Sequence, residues 1–361
     1  MKNRIPQIAM ILVLCIILAI SLPASYAKYT DKKVYTVNLV KNINFPKISF
    51  VSSSAYNNYP SAEYPIKKSG YYAIVAKGGS GSTGMRVKRG AFSEYVLDYF
   101  AGGSGGIVAG YVYLEKGNTV HIAAGSTGKR ADFYAGGGAG GKNAFGFGSG
   151  GTGSDVTALG SGATSGGGGA ASLVMLNNKA VSNINNFLVI AAGGGSAGSN
   201  DVGYAGSSEA GAGGAGGRNY NVSTGEASAP GIYNGSNGVC SSGKDYYGHG
   251  GTTVGGKADG NHGKDFSNGG TGGSAPNASS AGAGGGGYAG GGGGRGTSRA
   301  LAIPASGGGG GSSYMSSSMT AITKPLFEYA ISQTNGACST SQLGGFAIIV
   351  YLGDSPTVPT T

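Results

Sequence analysis

The chain has 361 residues, a formal net charge of +10 and only 11% charged residues, with 77 glycines, 22 tyrosines, 11 phenylalanines, three cysteines and three histidines. Charge this sparse excludes the concentrated basic stripe of a nucleic-acid binder and leaves a mildly cationic surface suited to anionic polymers or lipid headgroups. Glycine at about a fifth, against an ordinary ~7%, raises the option of disorder, but a hydrophobic content of 39% demands a folded body.

The N-terminus opens with Lys2 and Arg4, followed by the apolar run 8–22. Pro23 breaks that run, and Ser25-Tyr26-Ala27 places small residues at the two positions a signal peptidase reads. This layout predicts a secretory signal over residues 1–27, cleaved after Ala27. A retained anchor is the alternative, although a run of about 15 residues is short of the roughly 20 needed to span a bilayer. Cys15 follows Leu14, which argues against a lipoprotein signal. Removal of Lys2 and Arg4 would leave +8 (10 − 2) on an exported chain that is soluble or held at a surface by other means.

Beyond the signal, apolar residues gather in short β-rich runs bounded by Gly, Asn or Ser. They are Val34–Val40, Ile48–Val51, Tyr71–Ala76, Ile107–Leu114, Thr119–Ala124, Leu173–Leu176, Phe187–Ala192 and Phe346–Leu352. Ile107–Leu114 and Thr119–Ala124 flank Glu115-Lys116-Gly117-Asn118, which predicts a β-hairpin. The basic cluster Arg86-Val87-Lys88-Arg89 reads as a solvated loop, and alternation puts His121 on a polar face. FAIIVYL near the C-terminus is continuous enough for a strand buried on both sides. No window carries a sustained helical period. The expected body is all-β, built from two layered sheets. Residues 28–63 supply N-terminal strands, 64–352 form a glycine-rich domain, and 353–361 form a short tail without an apolar anchor.

The glycine tracts fall between Gly125 and Ser313, and include 136–141, 166–169, 193–195, 284–287, 290–294 and 307–311. They lack the every-third-residue glycine and the high proline of collagen. A glycine run can still adopt an extended helix with three residues per turn and no internal hydrogen bonds. Packed side by side, such helices could pair their N–H and C=O groups between neighbours, as buried backbone requires. Long disordered loops are the other option.

The order of these pieces resembles the glycine-rich extracellular domain of the anaplastic lymphoma kinase and leukocyte tyrosine kinase receptors. The matching residues open with Tyr64-Pro65 and 69–74, then 102–106 and 110–120. They continue through 150–156, 187–195, 284–292 and 307–314, in family order over most of the chain. The resemblance implies a jelly-roll-like β-sandwich with long glycine-rich insertions folded as packed polyglycine-type helices, and a role in binding protein ligands. It implies no kinase here. Ala73–Lys77 faintly echoes the kinase strand lysine, but Asp132-Phe133 and Asp265-Phe266 are followed by Tyr134 and Ser267, and no His-Arg-Asp motif occurs.

Other chemical signatures fail one at a time. No Gly-Lys pair is followed by Ser or Thr, so there is no phosphate-cradling loop. Residues 150–158 approach a calcium nonapeptide without repeating, and Asp155 reads as a turn or cap residue. His249 and His262 lie in glycine loops without a helix to align them as metal ligands. No enzyme activity, metal or cofactor is expected. Cys240 and Cys338 could form a disulfide in an oxidising compartment, or remain thiols. The reading that emerges is a secreted or surface-associated recognition module, facing a protein or cell-surface polymer through tyrosines in the glycine loops. Tyr220, Tyr233, Tyr246 and Tyr247 are the named candidates, together with Tyr204 and Tyr288. They could equally cap the glycine helices. The alternative function is a structural matrix or coat protein that self-associates.

Overall fold

The computed structural model describes residues 47–89, 94–130, 137–154, 164–201, 211–239, 247–257, 261–274, 281–295 and 306–359. The expected signal, the run Val34–Val40, and Asp155, Tyr204, Cys240 and Tyr246 lie outside the described residues. Sixteen strands appear in chain order among the described residues. The first seven are β1 (Ile48–Ser52), β2 (Ser61–Pro65), β3 (Gly70–Lys77), β4 (Gly84–Arg89), β5 (Glu94–Phe100), β6 (Ile107–Leu114) and β7 (Thr119–Ala123). Next come β8 (Ser172–Leu176), β9 (Phe187–Ala191), β10 (Asn200–Asp201), β11 (Tyr220–Asn221), β12 (Glu226–Ala227) and β13 (Gly231–Tyr233). The last are β14 (Ser313–Met315), β15 (Thr320–Ala321) and β16 (Phe346–Gly353). The described part is thus all-β in character, with one α-helix, α1 (Lys324–Ser332).

Two antiparallel sheets carry the core. One has the order β1-β16-β3-β6-β15, the other β13-β14-β9-β8-β7-β2. Alternation along each strand decides which side chains meet. Tyr72, Ile74 and Ala76 of β3 and Val108, Val112 and Leu114 of β6 turn toward Val120, Ile122, Val174 and Val189 of the second sheet. The opposite residues of the first sheet, Ala73, Val75, Ile348 and Val350, pack under Leu326, Phe327 and Ala330 of α1. The first sheet is therefore covered on both faces, which accounts for the unbroken apolar run of β16. A third cluster of Phe147, Leu173, Met175, Phe187 and Ile190 covers the outer face of the second sheet.

Three expectations give way. β6 and β7 form no hairpin, because β6 pairs with β3 and β15 while β7 pairs with β2 and β8. The turn does close locally, with Asn118 N–H donating to Glu115 O at 3.1 Å. It carries the chain from one sheet to the other, however, since burying the inward face of each strand against the other outweighs lateral pairing. The backbone of residues 86–89 belongs to β4 rather than to a loop. α1 escapes a periodicity reading because nine residues are too few for one, and Pro325 stands in its first turn. Its stability comes from packing on the sheet.

The glycine segments spring from one end of this two-layer body. β3 and β9 run out into glycines at Gly78 and Gly193, whereas β6, β8 and β14 are entered from Gly106, 169–171 and 311–312. Antiparallel pairing places those strand ends together: Lys77 opposite Ile107, Ser172 opposite Ala191. Beyond that line the backbone bonds change character. Gly307, Gly308 and Gly309 donate to Val239, Ser196 and Gly292, and Gly310, Gly311 and Ser312 donate to Ser236, Gly193 and Ala289, all at 2.8–3.0 Å. Every third donor returns to the same neighbour, three residues further along it. Segment 193–198 repeats the pattern: Gly193 and Ser196 donate to Gly286 and Ala283, Gly194 and Ala197 to Gly79 and Ser82, Gly195 and Gly198 to Gly214 and Gly211. Each of these two segments donates to three others, accepts from three more, and makes no bond to itself; the carbonyls of 307–312, for example, accept from Gly248 and Gly251, Gly214 and Gly217, and Gly285 and Tyr288.

Contact this close leaves no room for side chains. A Cβ on Gly285 would overlap the carbonyl of Gly193, whose neighbouring backbone cannot retreat without breaking its own bonds. Gly336 lies outside the lattice at φ +79° with nothing within 4 Å of a built Cβ, so it tests backbone strain alone. Gly336→Ala is expected to cost about 1–2 kcal/mol, and Gly285→Ala more than about 3 kcal/mol, beyond ordinary overpacking. Thermal melts of the two variants check this; equal losses would mean that the lattice yields.

Candidate functional site

Lys77 ends β3, and its surroundings follow from that position. Strand alternation sends it to the α1 side of the first sheet, at the line where strands give way to glycine segments. It is 3% exposed, and its Nζ donates to the carbonyl of Gln342. Gln342 belongs to the loop between α1 and β16. Bonds to the body anchor that loop: Ser80 N–H donates to Leu343 O at 2.8 Å, Gln342 Nε2 donates to Ser52 Oγ at 2.9 Å, and Gly345 accepts from Ser53 N–H at 2.8 Å and donates to Gly125 O at 2.9 Å. Among the described residues no carboxylate forms an ion pair with Lys77, and burial pushes its ammonium down to a pKa of about 8.

The lysine stands in the wall of a cleft of about 590 Å³. Ser80–Thr83 with Ala101, Gly102 and Ser104 form one part of the lining, Thr127, Gly128 and Arg130 another, and Thr340–Leu343 the rim. Leu343, 70% exposed, marks its open side. Arg130 lies with its guanidinium 4.0 Å from the ring centroid of Tyr99. The described lining contains two cations, several hydroxyls and no Asp or Glu. Chemically this is a concave, positively charged recess on a rigid backbone, able to hold a polar or anionic group. A strongly desolvated titratable group in a cleft is the kind of feature found at functional sites.

The sequence-derived candidates disperse. Tyr220 is 2% exposed and stacks on Phe327 with centroids 4.0 Å apart, so it is core and not partner-facing. Tyr233 is half-buried against the main core, and its hydroxyl donates to Ala229 O at 2.5 Å. Tyr247 is half-buried with its ring 5.2 Å from that of His249. Tyr288 joins a stack between Phe266 and Tyr314. Among the described residues the exposed tyrosines are instead Tyr59, Tyr99 and Tyr113, which no loop signal marked.

His121, expected on a polar face, is 6% exposed, because the outer face of its sheet is covered and Met175 stands opposite. Its Nδ1 lies 3.7 Å from Glu63 Oε1, which Lys179 also engages. Burial first, and Lys179 second, hold its pKa below the usual histidine value. Cys338 is a buried thiol that burial pushes up to about 11; Cys240 lies outside the described residues. Among the described residues no cluster of His, Cys, Asp and Glu could hold a metal, and no helix is long and apolar enough to cross a membrane.

Sequence reasoning noticed Lys77 only as an echo of a kinase motif. A lysine closing an apolar strand directly before Gly78-Gly79 was the available signal. Compared with known proteins, the chain matches no family model and no curated sequence.

The buried charge has a thermodynamic signature. Below about pH 8 the folded chain holds a desolvated ammonium; from there to the ordinary lysine value of 10.5, the folded lysine is neutral while the unfolded one stays protonated. Stability from this group therefore rises with pH across that window. Lys77→Met is expected to raise the melting temperature at neutral pH, by the equivalent of up to about 3 kcal/mol. The gap to the parent should close between pH 8 and 10.5. A variant less stable than the parent at every pH would show that the bond to Gln342 outweighs the desolvation.

Proposed function

We propose that this chain is an exported, non-catalytic recognition module, in which a jelly-roll-like β-sandwich grips a bundle of polyglycine-type helices and presents a binding cleft at their junction. The helix reading is supported by the return of each third amide to the same neighbouring segment. The likeness to the glycine-rich domain of the two receptor kinases belongs to the same proposal, and extends to architecture and partner binding without any kinase activity. The partner is a protein or an anionic cell-surface polymer, in keeping with the net charge of +8 (10 − 2) left once the signal is removed.

The observation that carries the recognition reading is Lys77. A buried ammonium with no carboxylate beside it among the described residues is costly, and its place in the wall of an open cleft makes that cost intelligible as preparation for a ligand. Backbone-to-backbone bonding of the glycine segments holds the cleft in shape before anything binds, which lowers the ordering cost of association.

The experiment is capture from a surface extract of the producing cells or their neighbours, with the parent protein and Lys77→Met side by side, and size exclusion of the purified chain alone. A monomer that retains a component which the variant releases is the expected result. A protein that assembles with itself, and retains nothing in a Lys77-dependent way, would replace this reading with the structural-coat alternative.

A further inference from the structure

The charge balance of the cleft narrows its ligand. Lys77 contributes one buried positive charge, and the described lining offers no acidic side chain to neutralise it. A smaller adjoining cleft of about 120 Å³ shares Lys77, Ser104 and Thr340, adds Arg218, and again contains no Asp or Glu. An uncompensated buried charge is best satisfied by one counter-charge delivered by a ligand.

We propose that the Lys77 cleft binds a single carboxylate at the end of a small organic group, held as the counter-ion of Lys77 and oriented by the hydroxyls of Ser80, Ser104 and Thr340. This rests on the cleft being the recognition site proposed above. The one desolvated ammonium matches one carboxylate, the second cation of the lining, Arg130, lying against the Tyr99 ring. A phosphate carrying nearly two charges would call on Arg130 as well, and that guanidinium lies 4.0 Å from the centroid of the Tyr99 ring. Ala101, Leu343 and the bare Cα atoms of Gly81 and Gly102 favour an organic body over a hydrated inorganic ion. The chemistry is shared by acidic saccharides and by peptide C-termini, and a volume of about 590 Å³ admits either as a terminal unit. The ammonium is charged for most molecules at neutral pH, and a bound carboxylate would raise its pKa from about 8.

The test uses sodium glucuronate and N-acetylalanine as probes, with glucose and N-acetylalaninamide as their neutral counterparts and inorganic phosphate as the rival anion. Binding is read from the melting temperature and from the Lys77 Cε resonance of ¹³C-lysine-labelled protein, at about pH 7 and about pH 9.5, either side of the Lys77 value of about 8. One or both carboxylates should stabilise the protein and move the Lys77 resonance at the lower pH. Which of them does so identifies the source. Loss of the charge, by pH or by Lys77→Met, should weaken binding about tenfold or more. A response shared by the neutral counterparts, a stronger response to phosphate, or a Lys77 resonance that neither carboxylate moves would overturn the proposal. If Lys77→Met does not fold, the two-pH comparison on the parent separates the same outcomes. Lys77-dependent capture of a partner with no carboxylate response would keep the recognition module and reject this ligand class.

Discussion

Every backbone amide in the glycine segments needs an acceptor, and an extended chain offers none within itself. The molecule meets that requirement by letting a segment donate to three neighbours in rotation and accept from three others, so that donors three residues apart return to one neighbour. The arrangement depends on carbonyls approaching Cα atoms at distances a Cβ would forbid. Glycine here is a packing requirement more than a source of flexibility. Serines are admitted where their hydroxyls join the network, as Ser196 does by accepting from Ala283 N at 2.7 Å and donating to Gly166 O at 2.6 Å.

Such a lattice contains little apolar surface to bury and loses much chain entropy on ordering. The sheets supply what it lacks. Lys77 opposite Ile107 and Ser172 opposite Ala191 fix the ends from which the glycine segments leave, so pairs of them start already adjacent. The lattice in turn occupies the loop space that a sandwich of this connectivity must fill between β7 and β8, between β9 and β14, and between β3 and β6. Neither part is independent of the other.

The junction is also where polar chemistry concentrates. Lys77 is the last strand residue before the lattice, almost wholly buried in the wall of the cleft and beside backbone that offers it one carbonyl from Gln342. A charged side chain at this point loses hydration without gaining an ion-pair partner among the described residues. His121 is a second buried titratable group, in the other sheet; its Nδ1 has no hydrogen-bond partner among the described residues, Glu63 Oε1 standing 3.7 Å away and itself engaged by Lys179.

What the sequence by itself determined was composition and local state. The runs at Ile48–Val51, Tyr71–Ala76, Ile107–Leu114, Leu173–Leu176, Phe187–Ala192 and Phe346–Leu352 became strands because β-branched and aromatic residues bounded by glycine favour that state wherever they pack. Tertiary structure decided everything that required knowing a neighbour. The turn at 115–118 was legible, but whether β6 and β7 pair or separate into two sheets depends on which faces are buried against each other. Tyr220 looked like a loop tyrosine until Phe327 of α1 was found stacked upon it. Tyr59, Tyr99 and Tyr113 showed no signal of their exposure. The clustering of glycines was plain in the sequence, whereas their order was not, since the bonds that hold them join residues far apart in the chain, as Gly194 to Gly79 and Gly311 to Gly193. For the same reason Lys77 reads as an ordinary lysine in sequence. Apart from Ser80–Thr83, its cleft is made by residues 21 (Tyr56) to 266 (Leu343) positions away, and the carbonyl that its ammonium meets belongs to Gln342.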